Sequence, residues 1–184
     1  MKMRLVSRCA VAILVLLLVG GQSWADANPC GDRCRRIVDV ALDGCKNAPP
    51  GVERGFLYSL LAQEIILGVP DEYRGMVLAA ACRESGFRAA PRVGDGGNAV
   101  GLLQMWPWWE RFGVNRLDPI SAANGWITRI LMNVRRAKRK CGKKMRYRAA
   151  WAWVASGPKG WRCRSPRHYW LMKRWHRRAK WTSL

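Results

Sequence analysis

Six cysteines, Cys30, Cys34, Cys45, Cys82, Cys141 and Cys163, most restrict the folds open to this chain, because of what stands in front of them. Lys2, Arg4 and Arg8 precede an apolar run from Cys9 to Val19, which ends in Gly20-Gly21 and Ser23-Trp24-Ala25. That order of charge, short apolar stretch and small residue reads as a secretory signal peptide, cut after Ala25 or alternatively after Ala27. It falls short of the roughly 20 apolar residues of a membrane span. Residues 1–25 are therefore set apart, and 26–184 are expected to form one domain of a secreted or periplasmic protein. Cys9 leaves with the signal, and an even set of cysteines in an oxidising compartment reads as disulfides.

Geometry narrows the pairing. If residues 30 to 46 are a helix, Cys30, Cys34, Val38, Ala41, Leu42 and Cys45 share a face. Cys34 and Cys45 then lie roughly 16 Å apart at ~1.5 Å per residue, too far to bridge. The expected framework is three staples from this helix to Cys82, Cys141 and Cys163. Zinc is the rival use of cysteine, but His168 and His176 are the only histidines and no zinc-ligand spacing occurs. No metal and no cofactor are expected.

Further helices are expected over Val52 to Val69, from Asp71 to a stop at Gly86, over Ser121 to Lys140, and over Met145 to Ala155. Pro91, Gly94, Gly96, Gly97 and Gly101 exclude a helix between 88 and 101, so turns or a small hairpin are expected, with Val100 to Met105 as a short strand. The fold class is thus mainly α with a small β element.

Charge is polarised along the chain. There are 33 Lys+Arg against 12 Asp+Glu, a formal net charge of +21, and no acidic residue follows Asp118. The tail from Lys159 interleaves Trp161, Tyr169, Trp170, Trp175 and Trp181 with cations. Such a field gathers polyanions, among them cell-wall polymers, lipopolysaccharide and anionic membrane surfaces. Clusters such as Arg135-Arg136-Ala137-Lys138-Arg139-Lys140 also suit nucleic acid, but an export signal takes the chain away from that partner. A monomer is expected.

Glu84 is the leading candidate for chemistry. A carboxyl at the C-terminal end of an apolar helix faces the negative end of the helix dipole and is partly desolvated. Both effects raise its pKa, as a general acid near neutral pH requires. Arg83 and Arg88 act the other way.

The run Arg83-Glu84-Ser85-Gly86-Phe87, followed by Gly94-Asp95-Gly96-Gly97-Asn98-Ala99-Val100-Gly101-Leu102-Leu103-Gln104-Met105, resembles the lysozyme-like superfamily. Within it, the soluble lytic transglycosylase domain and the goose-type lysozymes are most similar, and the likeness covers roughly residues 71 to 109. The resemblance implies a lysozyme-like α+β fold that binds peptidoglycan glycan strands. Glu84 matches the acid that protonates the bond between N-acetylmuramic acid and N-acetylglucosamine. Ser85 is its motif partner, and Gln104 and Met105 match the segment that contacts the glycan. Gly101 is assigned to backbone clearance.

Asp95 stands where transglycosylases usually carry a serine and goose-type lysozymes an aspartate that helps hold water. Trp106 replaces a further aspartate of the goose-type enzymes. The family's Ala-Tyr-Asn-Ala-Gly-Pro stretch is replaced by Trp153-Val154-Ala155-Ser156-Gly157-Pro158. Trp153 is then either a sugar platform or a core residue.

Two chemistries follow from one acid. A lytic transglycosylase lets the muramoyl 6-hydroxyl attack its own anomeric carbon and needs no second carboxylate. A hydrolase needs one across the ring, for which Asp95 is the motif-matched candidate. The transglycosylase is the leading expectation. The alternative of another class is a non-catalytic cationic protein that binds wall or membrane.

Overall fold

The computed structural model describes residues 31–88 and 93–141, and it is mainly helical. Helix α1 (Gly31–Gly44) buries Cys34, Ile37, Val38 and Ala41, the three-and-four spacing of one helical face. Helix α2 (Arg54–Ile66) buries Leu57, Leu60, Leu61 and Glu64. Helix α3 (Met76–Ser85) is enclosed nearly all round, with Met76 to Cys82 and Ser85 buried. Helix α4 (Pro119–Cys141) begins at a proline, whose missing N–H costs nothing there. Asp118 caps it, accepting the N–H groups of Ile120 and Ser121 at 3.1 and 3.2 Å.

Helix α2 packs on α1, α3 and α4, while α3 also touches α1 and α4. The core formed between them includes Leu57, Leu60, Leu78, Ile127 and Ile130. Cys45, just beyond α1, is bonded to Cys82 on α3, with Cα atoms 5.6 Å apart. This is the first of the expected staples, and closing a loop of this length stabilises by about 2–4 kcal/mol. Cys34 is also disulfide-bonded, so it is not joined to Cys45. Among the described residues no helix is long and apolar enough to cross a membrane.

Two expectations are corrected. Asp71 does not open α3: Asp71–Tyr73 is a single 3-10 turn, and Gly75 at φ 92° breaks the chain before Met76. Val100 to Met105 is not a strand either, and no strand occurs among the described residues. Gly101 and Gln104 lie in the left-handed region at φ 74° and 45°, which turns the run back on itself. Val100 and Met105 exchange backbone bonds of 3.2 and 2.9 Å across this reversal, and Gly94 pairs with Ala99 across another. The expected signal peptide, Cys30, Cys163, the helix expected over Met145 to Ala155, Trp153 and the basic tail lie outside the described residues.

Candidate functional site

The site is built at the C-terminal end of α3. Gly86 ends that helix at φ 62°, its N–H bonded to the Cys82 carbonyl at 2.9 Å. A Cβ at Gly86 would stand 2.2 Å from the Asn47 carbonyl oxygen, so the backbone of the loop after α1 closes directly on the helix end. Two residues before Gly86, Glu84 keeps 33% of its side chain exposed. Burial of the rest raises its pKa, Arg83 at 3.4 Å lowers it, and the charge of Asp95 raises it further. The other cation expected to act here, Arg88, instead donates to the carbonyls of Asn47 and Ser85, both at 3.1 Å.

Asp95 comes within electrostatic reach of Glu84 although eleven residues separate them. Its backbone sits at φ 47°, and its carboxylate accepts the Trp106 indole N–H at 3.1 Å. Gln104 is half-buried, and its amide donates to the Gly101 carbonyl at 3.1 Å. A Cβ at Gly94 would meet the Gln104 amide oxygen at 2.4 Å, so the two reversals interlock through this side chain. Ser85 and Met105 are placed behind the surface rather than on it. Ser85 is fully buried and donates its hydroxyl to the Ala81 carbonyl at 3.0 Å, and Met105 belongs to the core.

Among the described residues, only Phe87, Asp95 and Gln104 hold positive φ without being glycine. All three lie in the segments that carry the site. Each such residue costs about 1–3 kcal/mol and persists only where its surroundings over-determine it.

Two contributors were not singled out from the sequence. Arg116 donates to the carbonyls of Asn98 and Met105 at 3.2 and 3.0 Å and to Glu110 at 2.8 Å, tying both reversals together. Isolated among loop residues, it gives no pattern to find. Glu64 is fully buried on α2 and accepts the backbone N–H groups of Gly75 and of Val77, the latter at 2.7 Å. It thereby holds the first turn of α3, whose last turn carries Glu84. Burial pushes its carboxyl up to about 7, against those N–H bonds and the Arg74 charge. Its signal was in the sequence: an acid on the same helical face as Leu57, Leu60 and Leu61.

Gly101 has the clearance role expected of it, since a Cβ there would come within 2.0 Å of the Arg116 carbonyl oxygen. Gly101→Ala combines that collision with a left-handed backbone. We expect it to cost more than ~2 kcal/mol, read as a lower urea midpoint.

A cavity of about 450 Å³ lies between Trp109, Phe112, Ile120 and Met132. Neither Glu84, Asp95 nor Gln104 lines it. No group of three or more potential metal ligands occurs among the described residues. The chain matches no known protein family, no curated protein and no solved structure.

Proposed function

We propose that this protein cleaves peptidoglycan glycan strands as a lytic transglycosylase of lysozyme-like fold, with Glu84 as its single acid and base. The observation that carries the reading is Glu84 itself. It is a half-buried carboxyl at the end of an enclosed helix, its pKa raised by desolvation and by Asp95 against the pull of Arg83, and still open to solvent. A general acid works best with its pKa near the ambient pH and its proton within reach of the leaving oxygen.

In the proposed reaction Glu84 gives its proton to the glycosidic oxygen as the bond to the muramoyl anomeric carbon breaks. The carboxylate then takes the proton of the muramoyl 6-hydroxyl, whose oxygen closes onto the anomeric carbon. The products are a 1,6-anhydromuramoyl end and a free N-acetylglucosamine 4-hydroxyl, and Glu84 is protonated again. No water enters, and the nucleophile is already tethered to the reacting ring. Export, disulfides and the basic surface suit work on an anionic wall outside the cytoplasm.

Hydrolysis by the same acid is the second reading, favoured by the electrostatic reach of Asp95 to Glu84. Mass spectrometry of muropeptides released from purified peptidoglycan separates the two. Anhydromuramoyl ends support transglycosylation, and reducing muramoyl ends support hydrolysis. Absence of any release would sink both in favour of a cationic wall-binding protein.

The proposal also fixes the sign of two pH shifts. As acid, Glu84 must be protonated, so the rate falls as pH rises through its pKa. Asp95→Asn removes a charge that raises this pKa, and the alkaline limb of the rate profile moves to lower pH. Arg83→Gln removes a charge that lowers it, and the limb moves to higher pH. Shifts of the same sign in both variants would contradict the electrostatic account of Glu84.

A further inference from the structure

Trp106 is the exposed large apolar side chain whose polar atom is bound to a carboxylate acting on Glu84. Its neighbours in sequence behave otherwise. Trp109 is buried and stacks on the half-buried Trp108, with ring centroids 4.5 Å apart, whereas Trp106 stays 43% exposed.

An indole left in water gains little from the core, yet this one is restrained twice. Its backbone is extended at φ −77°, ψ 158°, immediately before Pro107, where the proline ring disfavours the helical alternative. Its N–H is held by Asp95 at 3.1 Å, which fixes the ring as well as the chain. Asp95 in turn sits in a left-handed conformation, with its carbonyl accepting the Asn98 amide at 3.1 Å. Fixing an exposed aromatic in advance lowers the entropy cost of binding to its face. Aromatic surface with a polar handle beside a carboxylate fits a sugar ring, which presents C–H groups on its faces and hydroxyls at its rim.

We infer that Trp106 is a stacking platform for one sugar ring of an N-acetylated glycan beside Glu84, and that Asp95 is the anchor of that indole. This rests on the glycan-cleaving reading above and deepens it by naming a binding residue outside the motif. It also gives the Asp95 carboxylate a structural task that an amide can share, because an asparagine offers an acceptor oxygen and tolerates the left-handed backbone.

The test uses a neutral probe, chitotetraose, so that the basic surface contributes no charge attraction. Binding is measured by calorimetry on the oxidised full chain carrying Glu84→Gln, which keeps the probe intact. Adding Trp106→Ala is expected to weaken binding about tenfold, or ~1.4 kcal/mol. Trp106→Phe, with a ring and no N–H, falls between, and Asp95→Asn loses less than about threefold, or ~0.7 kcal/mol.

Unchanged binding in the Trp106→Ala variant would overturn the platform while leaving the glycan reading intact. Asp95→Asn as weak as Trp106→Ala would overturn the anchor and make the carboxylate charge the binding group. No binding of chitotetraose or of purified peptidoglycan by the Glu84→Gln parent, with no cleavage by the unmodified protein, would remove the glycan reading and the platform with it.

Discussion

Glu84→Gln is expected to abolish muropeptide release, lowering the rate by about 10²–10⁴-fold, the usual share of a general acid. The amide has the shape of the carboxyl but no acidic proton to give. The fold should survive, because Glu84 has no role in the core and the helix end is fixed by Gly86. Burial already disfavours the charged form of Glu84. A neutral amide therefore leaves the urea midpoint at neutral pH equal or higher, a common trade between stability and activity at such sites. Loss of release with a retained midpoint supports the assignment. Undiminished release would end it and leave the basic surface as the source of any lysis.

The second large effect concerns Glu64 and pH. With its carboxyl at about 7 in the folded chain and near the ordinary carboxylate value of 4.5 when unfolded, the native state holds this proton more tightly. Stability is then greatest below the unfolded value and declines as pH rises through about 7, by roughly 3 kcal/mol at most from this group. Glu84 adds a change of the same sign.

The urea midpoint should therefore fall between pH 5 and pH 8, and Glu64→Gln should flatten most of that fall. The amide still accepts one backbone N–H but turns its own N–H groups toward the other, so its absolute stability is lower by about 1–3 kcal/mol. A midpoint unchanged across that range in the unmodified protein would mean that the N–H bonds of Gly75 and Val77 outweigh burial and hold Glu64 charged.

What could be read in the chain beforehand followed from local rules. The apolar face of α1, the stop at Gly86, the long helix α4 and the position of Glu84 in a last turn all come from spacing, capping and glycine chemistry. The length of one helix excludes a bond between Cys34 and Cys45 and sends Cys45 to a distant cysteine, but which one, Cys82, comes from the structure. Where the reading went wrong, a glycine had two meanings. Gly75 falls inside the helix expected from Asp71, but its left-handed backbone delays the start of α3 to Met76. The run from Val100 to Met105 has apolar residues suited to a strand, but Gly101 and Gln104 fold it into a reversal.

The composition and order of residues thus determined a mainly helical chain, the exclusion of a bond between Cys34 and Cys45, and one carboxyl in the last turn of an apolar helix, because each depends on neighbours a few positions away or on a simple distance. Tertiary structure alone decided that Glu64 caps the helix bearing Glu84, that Arg116 ties the two reversals, and that Asp95 holds the Trp106 indole. Each of these pairs groups from separate segments, brought together by burial and by the hydrogen-bonding needs of the backbone; the helical period marks Glu64 as buried but does not say which N–H groups it meets.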